Sequence, residues 1–126
     1  MHEKRIEIRW RDIDAYQHVN QAVYLTYLEE MVDDWVRTAL GGLWDYVAAR
    51  VSIDYRAELR LEDRQAVGTV RLERIGTKSV TVLAEIRAPD GRLAAEAELV
   101  VVARDPDTGE SRALNDAERA AFEAAA

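Results

Sequence analysis

The chain has 126 residues, with 17 Lys and Arg against 24 Asp and Glu and a formal net charge of −7. This length predicts a single domain over residues 1–126, and the acidic balance argues against nucleic acid as the main partner, because phosphate binding needs a basic face. There is no cysteine, which excludes disulfides, thiol catalysis and zinc–thiolate sites.

The N-terminal segment predicts a strand followed by a loop. Ile6, Ile8 and Trp10 alternate with charged residues, which is typical of a strand with one exposed face. On this pattern we expect Trp10 to lie in the core or at an interface. Residues 12–20 have no period and are rich in short polar side chains, so they are predicted to form a loop.

A long helix is predicted from about Gln21 to Leu40. Its apolar residues recur every three or four positions and cover most of its sides, so most of the helix should be buried. At 1.5 Å per residue, a helix of this length is about 30 Å long. Asn20 is a natural N-cap, and Gly41 can take the left-handed conformation that often ends a helix.

The rest of the chain predicts four strands and a short helix. Alternating apolar residues mark strands within residues 51–61, 70–72, 80–86 and 93–103, and Asn115 begins a capping box for the terminal helix. Strands and helices do not alternate, so the sheet should be antiparallel. A long apolar helix needs cover on most sides. We therefore predict an α+β fold in which a curved sheet wraps around the helix.

No stretch approaches the roughly 18 apolar residues of a membrane span, so we expect a cytoplasmic protein with no membrane partner.

The loop at residues 12–20 is the strongest candidate for a functional site. A helix N-terminus offers unpaired N–H groups that can hold an anion or a developing oxyanion. The Asp14 carboxylate beside it could act as a nucleophile or a general base. The simpler interpretation is that Asp12 and Asp14 stabilise the turn, that His18 makes a structural hydrogen bond, and that Asn20 only caps the helix.

Residues 10–20, Trp-Arg-Asp-Ile-Asp-Ala-Tyr-Gln-His-Val-Asn, continued by Tyr24, Tyr27 and Glu29, resemble the hotdog-fold acyl-CoA thioesterases of the 4-hydroxybenzoyl-CoA thioesterase type. The resemblance covers nearly the whole chain. It implies a five-stranded antiparallel sheet around one long helix, an acyl-CoA substrate and no cofactor or metal. It also implies a homo-oligomer, dimer or tetramer, with sheets joined edge to edge and the site between two subunits.

The same resemblance assigns roles to individual residues. Asp14 matches the catalytic carboxylate, as nucleophile or general base, and the backbone N–H of Gln21 matches the group that polarises the thioester carbonyl. His18 and Asn20 match positions that shape the loop and the wall of the site. Three further residues are candidates for substrate binding: Tyr16, which no apolar period explains and which could line an acyl pocket, and Thr77 and Ser79, in the segment that fits the family's turn between strands.

Gln17 departs from the family pattern, which usually has glycine at this position. If the position needs a positive φ, either the glutamine is strained or the loop has another shape.

Two alternatives to an acyl-CoA thioesterase stay open. One is a thioesterase for carrier-protein thioesters, which the net charge of −7 disfavours because carrier proteins are acidic. The other is an acyl-binding hotdog domain without catalysis.

Overall fold

Five strands and two helices follow the predicted order in the computed structural model, which describes all 126 residues. The elements are β1 (His2–Glu7), α1 (Gln21–Leu40), β2 (Tyr46–Tyr55), β3 (Gln65–Ile75), β4 (Ser79–Arg87), β5 (Leu93–Ala103) and α2 (Asp116–Ala124). Single 3₁₀ turns at Trp10–Asp12 and Leu61–Asp63 precede α1 and β3 respectively. The bounds of α1 and of β5 agree with the sequence pattern, and so do the Asn20 cap and the left-handed Gly41, with φ 77°.

One antiparallel sheet holds all five strands in the order β1-β3-β4-β5-β2. The predicted α+β class is therefore confirmed. β1 and β2 are the two edge strands, and β5 lies inside the sheet, as its apolar C-terminal half predicts.

Helix α1 lies on one face of the sheet and supplies much of the core. Seven of its residues are buried: Tyr24, Tyr27, Leu28, Met31, Val32, Trp35 and Val36. The helix approaches β3 closely at Gly68, where a Cβ atom would lie 2.4 Å from Met31 Sδ. Glycine at this position lets the helix lie against the strand. Neither helix is long and apolar enough to cross a membrane.

Helix α2 closes the core at the C-terminal end of α1. The Phe122 ring packs against Trp35 and Trp44, with ring centroids 5.3 and 5.1 Å apart. Trp44 Nε1 donates to Glu118 Oε2 over 2.6 Å, and Arg112 pairs with the same carboxylate. The hydrogen bond from Arg112 is the main cause that lowers the pKa of Glu118 to about 2. Trp44 is therefore part of the core packing at this end of the molecule.

The prediction that the first strand continues to Trp10 is wrong. β1 ends at Glu7, and Trp10 begins a 3₁₀ turn with its side chain 81% exposed in the chain. The cause is local: the Arg9 N–H donates to Asp12 Oδ2 over 2.9 Å, and the Asp12 N–H donates to the Arg9 carbonyl over 2.9 Å. After the Ile8 N–H donates to the Arg64 carbonyl over 2.8 Å, these two bonds turn the chain away from the sheet.

The second strand also differs from its predicted extent, since it covers Tyr46–Tyr55 and not residues 51–61. It ends where the N–H groups of Arg56 and Ala57 converge on the carbonyl of Ala94 and interrupt the ladder. Beyond this point the chain still buries Leu59. Apolar alternation alone cannot distinguish such a buried connection from a strand.

The contact between Gly68 and Met31 gives a test of the fold. Gly68→Ala should lower the free energy of unfolding by about 1–3 kcal/mol, because the added methyl group overpacks the helix against β3. Gly42→Ala is the matched control, since nothing lies within 4 Å of a Cβ atom there. Urea unfolding of both variants measures the difference. An equally small effect in both would contradict the close approach.

Candidate active site

The loop at residues 12–20 closes on itself just before α1. The Asp14 N–H donates to the His18 carbonyl over 3.1 Å, and the Asn20 N–H donates to the Asp12 carbonyl over 2.9 Å. A bridge between Ile13 and Val19 lies between these two bonds. The loop therefore holds Asp14 and the beginning of α1 in one hydrogen-bonded unit.

Asp12 has a structural role in this unit. It is 7% exposed, and its Oδ2 accepts hydrogen bonds from Tyr27 Oη over 2.6 Å and from the Arg9 N–H over 2.9 Å. Burial, and then the hydrogen bond to Asp12, raise the pKa of Tyr27, so the phenol stays protonated and keeps donating. For Asp12, the interpretation as a turn-stabilising carboxylate is confirmed.

Asp14 is only half-buried and has few partners. Its Oδ1 accepts from the Tyr16 N–H over 2.9 Å, while its second oxygen accepts no hydrogen bond from the chain. The carboxylate is thus oriented by one bond and retains an oxygen that can contact a water molecule or a substrate. No group of three or more His, Asp or Glu side chains is placed to hold a metal ion.

The first N–H groups of α1 differ in whether they have acceptors. The Ala22 N–H donates to the Asn20 side chain over 2.8 Å, and the Val23 N–H donates to the Asn20 carbonyl over 2.9 Å. The Gln21 N–H has no acceptor in the chain. It lies at the positive end of a 20-residue helix, where an additional acceptor is favoured.

Tyr16 and His18 lie side by side on this loop. Their rings stack at 6.2 Å between centroids, with 21° between planes. Tyr16 is 79% exposed and His18 is half-buried, with Nδ1 3.4 Å from the Val19 carbonyl. The two rings therefore form part of the loop surface near Asp14, where a ligand could contact them.

Gln17 adopts a left-handed conformation with φ 72°. Of the two possibilities open from sequence, the structure has the strained glutamine and not a loop without positive φ. The Gln17 N–H closes the turn onto the Asp14 carbonyl over 3.1 Å. The turn thus keeps the conformation that glycine would adopt without strain.

Thr77 and Ser79 lie at the other end of the sheet from Asp14. β3 begins beside Glu7, near the loop, and ends beside Val80, near Thr77. Its 11 residues separate the two ends by about 35 Å. Within one chain, the structure therefore brings Asp14, Tyr16, His18, Asn20 and Gln21 together, and it does not bring Thr77 or Ser79 to them.

One residue at the site was not found from the sequence. Tyr55, the last residue of β2, donates its hydroxyl to the Gln21 carbonyl over 3.0 Å. The sequence pattern could have pointed to it. Tyr55 follows Val51 and Ile53 in the alternation that faces the helix, and a tyrosine hydroxyl on that side needs a hydrogen-bond partner.

With this geometry established, comparison with known proteins identifies the class. Residues 8–123 match the family model described as the thioesterase-like superfamily. The chain belongs to this superfamily and is a thioester hydrolase. It is 30% identical over 120 residues to the long-chain acyl-CoA thioesterase FadM of Escherichia coli strain K12, and the match covers 89% of each protein.

Solved structures agree with this assignment and with the hotdog fold. A thioesterase from Thermus thermophilus, complexed with coenzyme A and Zn, superposes with a TM-score of 0.85 at 28% identity, covering 98% of this chain and 92% of that one. The probable thioesterase YbaW from Escherichia coli gives 0.78 at 29% identity, covering 96% of each chain. The PA5185 protein of Pseudomonas aeruginosa gives 0.88 at 25% identity, covering 98% and 90%.

The strain at Gln17 predicts a stabilising substitution. Gln17→Gly should raise the free energy of unfolding by about 1 kcal/mol, because glycine accepts positive φ without a steric cost. Gln17→Ala is the control: it removes the same side chain but keeps a Cβ atom, so it should give little gain. Thermal unfolding of both variants checks this. Equal stabilisation by Ala and Gly would show that φ is not the cause.

Proposed function

We propose that the protein hydrolyses acyl-CoA thioesters, with Asp14 as the catalytic carboxylate and the Gln21 N–H as the donor to the thioester carbonyl. The observation that carries this is their combination. A carboxylate with an unoccupied oxygen and a helix-terminal N–H without an acceptor belong to the same closed loop. The relatives named long-chain acyl-CoA thioesterase and thioesterase complexed with coenzyme A support coenzyme A as the leaving group.

The chemistry follows from charge development. Attack on the thioester carbon moves charge onto the carbonyl oxygen, which the Gln21 N–H and the positive end of α1 stabilise. The C–S bond then breaks, and CoA leaves as its sulfur takes a proton. The acyl group is released as the carboxylic acid. In the general-base route, Asp14 accepts the proton of the attacking water and returns it to the sulfur.

In the nucleophilic route, Asp14 itself attacks the carbonyl carbon. The C–S bond breaks, CoA leaves as a thiolate that takes a proton from water, and the mixed anhydride that remains is hydrolysed in a second step to the free acid and the Asp14 carboxylate. The two routes differ in pre-steady-state kinetics. A burst of free thiol ahead of acid release indicates the anhydride, whereas simultaneous release of both products indicates general-base catalysis.

We further propose that two subunits complete the site by pairing their β2 strands. β2 is a ten-residue edge strand with only two charged residues, Arg50 and Asp54, whereas four of the six residues in β1 are charged. Charged edges resist strand pairing, so β2 is the better edge for a second copy. Two-fold antiparallel pairing would place the Tyr55 end of one strand beside the Tyr46 end of the other.

This pairing would bring the partner's turn between β3 and β4 towards Asp14. The turn lies at the Tyr46 end of the sheet, since Tyr46 pairs with Ala103 and Ser79 pairs with Val102. Its Lys78 contacts only a hydroxyl, that of Ser111, at 3.3 Å. A cation without a carboxylate partner, beside Thr77 and Ser79, would suit the phosphates of CoA.

The reaction test compares the two aspartates of the loop. Asp14→Asn should lower kcat for acyl-CoA hydrolysis by about 100-fold or more and leave thermal stability unchanged, because only one hydrogen bond holds this side chain. Asp12→Asn should instead lower stability by about 1–3 kcal/mol, because it weakens a buried charged acceptor. Free-thiol release from short, long and aromatic acyl-CoA esters measures the activity.

A panel that includes acyl carrier-protein thioesters separates the alternatives. If the protein hydrolyses the carrier-protein thioester and no acyl-CoA ester, the substrate is the carrier-protein thioester. Binding of acyl-CoA by a folded wild-type chain without thiol release would support a non-catalytic acyl-binding domain. An Asp14→Asn variant with wild-type turnover would contradict the assigned carboxylate.

The two-subunit site predicts complementation. Asp14→Asn removes the carboxylate, and Lys78→Glu reverses the charge of the turn, so each variant alone should be poorly active at low substrate concentration. Co-expressed, mixed dimers would contain one site with neither change, restoring activity to about a quarter of the wild-type sites. Activity no higher than the sum of the separate variants would place both residues in the site of one chain.

A further inference from the structure

We propose that Tyr55 is a positioning residue for thioester hydrolysis, which holds Gln21 so that its N–H faces the substrate carbonyl. This role rests on the proposed function. Tyr55 Oη donates to the Gln21 carbonyl over 3.0 Å. The Tyr55 ring also packs edge-on against Tyr24 in the first turns of α1, with centroids 5.2 Å apart and planes at 88°.

Gln21 lies between two peptide planes, and each is fixed by hydrogen bonds. The plane before it contains the Asn20 carbonyl, which accepts from the Val23 N–H over 2.9 Å. Since N–H and C=O point in opposite directions across a trans peptide, this bond directs the Gln21 N–H out of the helix.

The plane after Gln21 is held at both of its polar groups. Its Ala22 N–H donates to the Asn20 side chain over 2.8 Å, and its Gln21 carbonyl accepts from Tyr55. Without the tyrosine hydroxyl, this plane loses its anchor to the sheet, and the first helical residue is free to fray. Fraying of this residue would weaken the bond between the Val23 N–H and the Asn20 carbonyl, and the Gln21 N–H would then sample directions away from the substrate.

Tyr55 is a firm anchor because the sheet fixes its backbone. It pairs with Ala95 of β5, and the pairing of β2 with β5 is unbroken from Arg50 to Tyr55. The hydrogen bond from this hydroxyl therefore fixes the start of α1 relative to β2. An error of about 1 Å at a reacting group can cost 100-fold in rate, so a donor held from the sheet has a kinetic advantage.

The same strand provides a matched control. Tyr46, at the other end of β2, donates its hydroxyl to Asp33 Oδ1 of α1 over 3.0 Å. Tyr46→Phe and Tyr55→Phe each remove one hydroxyl that ties this strand to this helix. Only Tyr55 contacts the residue that carries the proposed donor.

The experiment combines kinetics with amide resonances. Tyr55→Phe should lower kcat by about five- to tenfold, in line with the loss of one net hydrogen bond. KM should change by less than about twofold, because the contact acts on the transition state. In NMR spectra without substrate, the Gln21 and Ala22 amide resonances should shift in Tyr55→Phe and stay in place in Tyr46→Phe, whose kcat should equal that of the wild type.

The outcomes separate this role from the proposed function. An active wild type with unchanged kcat or unchanged Gln21 resonances in Tyr55→Phe would overturn the positioning role alone. An equal loss of kcat in both variants would attribute the effect to general stability and overturn it as well. A wild-type chain that hydrolyses no thioester would overturn the proposed function, and the positioning role with it.

Discussion

The buried hydrogen bond between Tyr27 and Asp12 is the interaction on which the site depends. It joins the middle of the second turn of α1 to the loop that precedes the helix, over 2.6 Å and with both residues nearly inaccessible. Because Asp12 also accepts the Arg9 N–H, one carboxylate fixes the end of β1, the loop and the helix together. A buried charge without these partners would be strongly unfavourable, so this arrangement has few alternatives.

The two aspartates of the loop have identical side chains but differ in burial and in hydrogen bonding. Asp12 is nearly inaccessible and accepts two hydrogen bonds at Oδ2, whereas Asp14, two residues later, is half-buried and accepts one. Asp12 supports Asp14 through the backbone: the Asn20 N–H donates to the Asp12 carbonyl, and this bond closes the loop that carries Asp14. The middle of α1 is held separately, where Met31 packs against Gly68 of the sheet.

Much of this could be predicted from the sequence, because the periodicity of α1 and β5 is strong and both have clear end signals. The failures were local. Trp10 continues the alternation of β1, yet two hydrogen bonds between Arg9 and Asp12, one of them to the Asp12 side chain, turn the chain after the strand ends at Glu7. Leu59 fits the alternating pattern of a strand, but it lies in the connection between β2 and β3 and is buried there. The contact from Tyr55 to Gln21 joins residues 34 positions apart, and no short-range pattern reports such a pairing.

The left-handed Gln17 has a consequence for altering the protein. The shape of the loop is set by backbone bonds on either side of the tip, between Asp14 and His18 and between Asp12 and Asn20. The tip itself contributes exposed side chains, Tyr16 and Gln17. Variation there should change the chemistry at the mouth of the site without moving the carboxylate. Under the proposed function, directed evolution of acyl selectivity could therefore begin with libraries at these two positions, on a background already stabilised elsewhere in the chain.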